Sequence, residues 1–199
     1  MARKPKDVQA LPELNEIESV MSQVRSKGRF RQSLKGTIGA FLVVAAIAVI
    51  IAFIFLPVLK ITNGHNMEPG FQPGDIILLK KTSKIETGKV CAFYYNNKLL
   101  LRRIIAREHD TVEIDEHGYV KVNGEILDEN SYISEHAFGQ CDIEFPYEVP
   151  SGQIFVLGDN RDYALDSRAT NFGCVEQDEI YGKPLARIYP FNNMTWFGF

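Results

Sequence analysis

Few side chains in this sequence stand where they could act as a nucleophile, a base or a metal ligand. Hydrolysis without a metal needs a nucleophile and a base within hydrogen-bond reach of each other. The hydroxyl candidates in the C-terminal part of the chain are Ser83, Ser131, Ser134, Ser151 and Ser167, and the amine candidates are Lys80, Lys81, Lys84, Lys89 and Lys98. None of these serines stands in a recognisable nucleophile context. The four histidines, His65, His109, His117 and His136, form no metal-binding spacing with the carboxylates, so neither a metal nor another cofactor is predicted.

The elements that would position such side chains are short strands. After residue 60 the chain has β-rich runs at 75–80, 90–95, 99–105, 111–114, 119–122 and 154–157. Turn residues separate them at 73–75, 96–98 and 122–125, and the Asn-Gly pair in the last of these is a strong hairpin signal. The pattern predicts a mostly β domain with a coiled or barrel-like sheet.

An uncharged stretch, residues 36–59, precedes these strands. A membrane-spanning helix needs about 20 such residues, and a signal peptide would have a shorter apolar region that ends at a cleavage site. We therefore predict a retained transmembrane helix, with a buried core helix as the alternative. Basic residues are concentrated before the stretch, which predicts a cytoplasmic segment 1–35, a single-pass helix 36–59 and an extracytoplasmic domain 60–199 in the cell membrane.

The charge of the C-terminal part limits its partners. From residue 60 onward there are 14 basic and 21 acidic residues, a net charge of −7, so no nucleic-acid partner is predicted. Its cysteines, Cys91, Cys141 and Cys174, would lie in an oxidising compartment where one pair could form. The spacing does not say which pair.

Three segments occur in order after the apolar stretch: residues 64–75 (GHNMEPGFQPGD), 99–106 (LLLRRIIA) and 156–168 (VLGDNRDYALDSR). Together they resemble the three boxes of the bacterial signal peptidase I family, membrane-anchored serine endopeptidases that remove signal peptides from exported proteins. The resemblance implies a mostly β, two-part extracytoplasmic fold on the outer membrane face. It also implies a role in protein secretion and a substrate bound in an extended form.

The sequence departs from this family where the chemistry should occur. The family's nucleophilic Ser precedes Met-x-Pro, and here that position is Asn66, before Met67 and Pro69. The family's general-base Lys corresponds to Arg102. A Ser that helps to hold the catalytic Lys corresponds to Ala164.

These replacements remove the reactive groups of a serine protease. The amide nitrogen of Asn66 has a delocalised lone pair and is a poor nucleophile. Arg102 stays protonated because the pKa of Arg is about 12.5 to 13.8. His65 is adjacent to Asn66, but neighbouring residues on a strand point to opposite faces, so assistance by His65 is disfavoured.

The remaining family residues are supporting ones. Gly64 and Pro69 shape the turn at the nucleophile position. Polar residues of the third box are expected to pair and to fix the loop behind the site, or only to stabilise the fold: Asp159, Asn160, Arg161, Asp166, Ser167 and Arg168.

We therefore predict a catalytically inactive homologue, a pseudoenzyme that binds extended exported polypeptides at the membrane. Family members with a lost dyad resemble accessory factors in pilus assembly, which implies pilin-like clients and possible contact with sortases. The alternative is an active signal peptidase with a non-standard site. A third reading is a structural membrane protein that makes cytoplasmic contacts through its basic N-terminal segment.

Overall fold

The computed structural model describes residues 35–51, 57–62 and 64–197. The chain divides into two compact units, Met1–Ala52 and Phe53–Phe199. Most of the predicted cytoplasmic segment, residues 1–34, lies outside the described residues.

The first unit contains helix α1, residues 35–51, whose large apolar side chains are exposed. Among the described residues no helix is long and apolar enough to cross a membrane. The end of the predicted helix 36–59 differs from the structure, because Val58 and Leu59 lie in a strand; residues 52–56 lie outside the described part. The Pro57 carbonyl accepts a hydrogen bond from the Leu79 N–H at 2.8 Å.

The second unit is built from strands. They are β1 (Val58–Lys60), β2 (Ile76–Lys81), β3 (Val90–Tyr95), β4 (Lys98–Arg107), β5 (Thr111–Ile114), β6 (Val120–Val122), β7 (Glu125–Ile126), β8 (Tyr147–Glu148), β9 (Gln153–Leu157), β10 (Val175–Glu176), β11 (Ile180–Tyr189) and β12 (Thr195–Trp196). Two short 3-10 helices, Gln177–Glu179 and Phe191–Asn193, flank β11.

The strands form two antiparallel sheets. The larger has the order β1-β2-β11-β3-β4-β9-β10, with β12 paired to β11, and the smaller has the order β7-β6-β5-β8. The prediction of a mostly β domain is confirmed, whereas its barrel-like form stays a prediction. All six predicted runs are strands, and the predicted turns contain Asn96, Asn97 and Asn123 in left-handed conformation.

Strand β4 is central to the position of the site. Its first half pairs with β3 through Lys98 to Arg103, and its second half pairs with β9 only from Arg103 onward. On the side away from β3, residues 98–102 therefore have no partner among the described strands. Three hydrophobic clusters fill the interior, and the one that includes Met67, Phe71 and Leu101 lies next to this free edge.

Candidate active site

Asn66 lies in a turn between β1 and β2. Gly64 precedes it with φ +97°, and a Cβ atom on Gly64 would collide with the Asn66 carboxamide. The backbone carbonyl of Asn66 accepts a hydrogen bond from the Asn160 N–H at 3.1 Å. Met67 is buried in the core, and the Glu68–Pro69 peptide bond is cis. The first box is thus joined to the third by its backbone and anchored by Met67.

Arg102 lies on β4 and is only 4% exposed. Its Nε and Nη2 donate to the Leu165 carbonyl at 3.0 and 2.7 Å, and its Nη1 donates to the Leu101 carbonyl at 2.6 Å. The guanidinium also lies 5.9 Å from the centre of the Phe172 ring. Burial lowers the pKa of Arg102, and the charge of Asp166 opposes this effect. The side chain at the general-base position therefore acts as a donor that joins β4 to the third box.

Ala164 is packed near the Asn66 backbone. Its N–H donates to the Asn160 carbonyl at 3.0 Å, and its side chain is buried. A Cβ atom on Gly158 would overlap the Ala164 side chain and approach the Asn66 carbonyl to 2.6 Å. Close packing at Gly158 thus brings the first and third boxes together.

The Asp166–Arg168 pair fixes the loop of the third box. Arg168 Nε donates to one Asp166 oxygen at 2.8 Å and its Nη2 to the other at 2.9 Å. The Gly158 N–H also donates to Asp166 at 2.9 Å, and the Ser167 hydroxyl accepts from the Val156 N–H at 3.0 Å. Ser167 is buried and supports the loop.

Asp159 and Arg161 form two further buried ion pairs. Arg103 donates to both Asp159 oxygens at 2.8 and 2.6 Å, and its guanidinium carbon lies 3.7 Å from the centre of the Tyr132 ring. Desolvation raises the pKa of Asp159, and the Arg103 charge and hydrogen bonds oppose that rise. Arg161 forms an ion pair with Glu129, a fully buried carboxylate.

Sequence reasoning did not find Arg103, Tyr132 or Glu129 as partners of the third box. Arg103 carried a signal, since it is a charged residue inside a strand between buried neighbours. Glu129 carried none, because it lies in a stretch without regular structure and its partner is 32 residues away.

Asn66 and Arg102, which replace the family's nucleophile and general base, both border one cleft of about 450 Å³. It is bordered by residues 59–62 on one side and 98–102 on the other, and Gly64, Asn66, Met67 and Phe71 complete the described lining. Asp159, Asn160 and Arg161 instead border a separate hollow of about 310 Å³ together with Pro69. Neither lining includes Asp166, Ser167 or Arg168.

The alternative nucleophiles and bases are placed as follows. Among the five candidate serines none borders the cleft, whereas Thr62 and Lys98 do. His65 is exposed, and its Nδ1 lies 2.8 Å from a Glu68 carboxylate oxygen. No group of His, Cys, Asp and Glu in the described residues could hold a metal ion. Cys91, Cys141 and Cys174 are free thiols.

Comparisons with known proteins show which family this chain resembles. The family described as "Signal peptidase, peptidase S26" matches residues 34–189. Signal peptidase IB of Staphylococcus aureus (strain COL) is 31% identical over 182 residues, covering 80% of this chain and 93% of that protein. A probable signal peptidase I-2 of Synechocystis sp. is 30% identical over 165 residues, covering 77% and 72% of the two chains.

A crystal structure of a signal peptidase I from Enterococcus faecalis V583 is 27% identical, with a TM-score of 0.41, and covers 50% of this chain and 96% of that one. The second unit is mostly β, and one of its clefts is bordered by both Asn66 and Arg102. The chain belongs to the peptidase S26 signal peptidase I family. Members of this family are membrane-anchored with an extracytoplasmic domain, and they act on exported preproteins with signal peptides.

Proposed function

We propose that this chain is a catalytically inactive signal peptidase I homologue that binds extended exported polypeptides without cleaving them. The observation that carries the proposal is the hydrogen bonding of the protonated Arg102 side chain. At the position of the family's general base, its guanidinium donates to two backbone carbonyls and borders the same cleft as Asn66. A guanidinium that stays protonated and donates to these carbonyls cannot accept a proton from a nucleophile.

Asn66 gives the second half of the argument. A carboxamide cannot form the acyl intermediate of a serine protease, because its nitrogen lone pair is delocalised and its oxygen carries no proton to lose. The supporting contacts of the third box do not alter this chemistry, since Asp166 pairs with Arg168 and Asp159 with Arg103. These contacts fix the loop of the third box.

The pairing of the strands supports an extended ligand. Among the described strands, β1 pairs only with β2, and residues 98–102 of β4 pair only with β3. Both strands border the cleft, so each presents an unpaired backbone edge to it. A polypeptide in strand conformation can add to such edges through main-chain hydrogen bonds.

Anchoring in the cell membrane is part of the same proposal. We place a single-pass anchor in the apolar stretch that precedes β1, with the segment before it cytoplasmic and the strand-rich domain after it extracytoplasmic. The uncharged composition of the stretch and the exposed apolar side chains of α1 support lipid contact. Exported preproteins are the proposed clients, and pilin precursors presented to sortases are a second client class for the same assay.

The test is binding and turnover measured on one sample. The full chain is reconstituted in lipid nanodiscs and mixed with a fluorescent signal-peptide segment or a pilin segment. We expect binding by fluorescence anisotropy and intact peptide by mass spectrometry after prolonged incubation. Absence of binding to every segment refutes the proposal, and so does cleavage at a rate typical of a working enzyme.

A second candidate, an active peptidase with a non-standard site, is favoured by one observation: the Thr62 hydroxyl and the Lys98 amine border the same cleft. If this candidate is right, cleavage survives Asn66→Ala and Arg102→Ala but is lost in Thr62→Val and in Lys98→Met. Lys121→Met is the matched control, because Lys121 lies on β6 of the other sheet.

A further inference from the structure

The cleft is basic although the domain around it is acidic. Among its thirteen described lining residues, Lys60, Lys98 and Arg102 are cations and none is acidic. Residues 60–199 as a whole carry 14 basic and 21 acidic residues. A concave site lined by one sign of charge concentrates ligands of the opposite sign.

The neighbouring hollow has the opposite charge. Its described lining includes Glu68, Glu135, Asp159 and Asp162, with Arg161 as the only cation there. Because the two hollows carry opposite charges, the basic lining of the cleft is a local feature of that site. A ligand that carries a carboxylate is favoured in the cleft.

Arg102 supplies a donor that suits such a ligand. A guanidinium has five N–H donors. Three hydrogen bonds to the Leu101 and Leu165 carbonyls are formed, and within the described part of the chain the other two N–H groups have no acceptor. A carboxylate accepts hydrogen bonds only, and those from a charged donor are roughly twice as strong as neutral ones. Lys60 and Lys98 are exposed and lie on the two opposite borders of the cleft.

We infer that the cleft selects extended polypeptides that carry a carboxylate at the position next to Arg102. This inference rests on the proposed function, since it names the chemistry of the segment that the inactive cleft holds. The carboxylate is either an Asp or Glu side chain within the segment or the C-terminal carboxylate of a chain that has already been cut. Both sources present the same pair of acceptor oxygens to the same cations.

Three peptides of one extended sequence separate these sources. The first is neutral and amidated at its C-terminus, the second has one central Gln→Glu change, and the third is the neutral sequence with a free C-terminus. Dissociation constants are measured by fluorescence anisotropy with the full chain in nanodiscs of neutral lipid. We expect at least one carboxylate peptide to bind about tenfold more tightly than the neutral one, with an advantage that falls as salt is added.

The variants test whether the cleft lysines cause the preference. In Lys60→Gln/Lys98→Gln we expect the advantage to fall to about twofold, while Lys121→Gln keeps it. A preference for the central Glu identifies the side chain, and a preference for the free terminus identifies a cut chain. Equal binding of all three peptides overturns the inference and leaves the proposed function in place. If no peptide binds, both are overturned.

Discussion

The replacement of Arg102 by Lys gives the sharpest test of the chemistry, provided that it is combined with two other changes. We predict that Asn66→Ser/Arg102→Lys/Ala164→Ser cleaves a signal-peptide substrate and that the native chain does not. Asn66 and Arg102 border one cleft, and Ala164 packs against Gly158 beside Asn66. In this variant a hydroxyl at residue 66 and an amine at residue 102 occupy the positions of the family's nucleophile and general base.

Arg102→Lys should also lower the free energy of unfolding, and the size of this loss can be calculated from the hydrogen bonds of Arg102. Lys has a single nitrogen and cannot reproduce three hydrogen bonds to the Leu165 and Leu101 carbonyls. Two bonds lost at about 0.5–1.5 kcal/mol each lower the free energy of unfolding by about 1–3 kcal/mol. For a domain of this size the melting temperature should fall by roughly 3–10 °C.

The gain in activity should appear only in the triple variant. Members of a catalytic unit are strongly non-additive, and losing one costs about as much as losing all. Each single variant should therefore remain within about tenfold of the native chain, whereas the triple variant should exceed it by about a thousandfold or more.

The assay is cleavage of an internally quenched signal-peptide substrate by full-length protein in nanodiscs, with a melting curve recorded for every variant. Asn66→Ala/Arg102→Lys/Ala164→Ser is the matched control, since it restores the amine without the nucleophile. A native chain that cleaves as fast as the triple variant would refute the reasoning. A folded triple variant that stays inert would show that the cleft has lost more than these groups.

Three further predictions concern packing and burial. Gly158→Ala should lower both peptide affinity and stability, by about 1–3 kcal/mol in the free energy of unfolding, because the new methyl overlaps the Ala164 side chain. Arg161→Met should destabilise the domain by about 3–5 kcal/mol in chemical denaturation, because it leaves the Glu129 carboxylate buried without its guanidinium. Burial raises the pKa of Cys91 to about 12 and that of Cys174 to about 11, so timed alkylation at about pH 8 followed by mass spectrometry should modify Cys141 first.

Matched controls separate these effects from general damage. Gly70→Ala is the control for Gly158, because a Cβ atom there meets nothing closer than 3.6 Å. Adding Glu129→Gln to Arg161→Met should recover part of the lost stability, and no recovery would contradict the buried-charge argument. Equal alkylation rates for all three thiols in the folded protein would contradict the assignment of Cys91 to the core.

Strands in which apolar and polar residues alternate, or which contain runs of β-branched residues, were predictable from the sequence. The ten-residue β11 was not, because Gly182 and Pro184 interrupt its pattern and the register shifts between Pro184 and Ala186. The prediction of a helix through residue 59 was wrong at its end, because hydrophobicity does not distinguish an apolar helix from an apolar edge strand such as β1.

The sequence indicated that Asn66 and Arg102 lie near each other, but it did not indicate their hydrogen-bond partners. Motif order alone placed Asn66 and Arg102 together, and the shared cleft agrees. Arg102 donates to a backbone carbonyl 63 residues away. Because every residue has a backbone carbonyl, the sequence does not indicate which one accepts this bond. For the same reason the role of Leu165 is visible only once the third box is folded against β4.

The two free strand edges at the cleft have a consequence for the empty protein. A strand added to the free edge of β4 or of β1 would pair backbone groups that have no partner among the described strands. Without that strand the same backbone groups are a template for a second protein chain. If the cleft binds exported polypeptides as proposed, client binding and self-association compete for one set of hydrogen bonds, and a shortage of clients should favour association between copies.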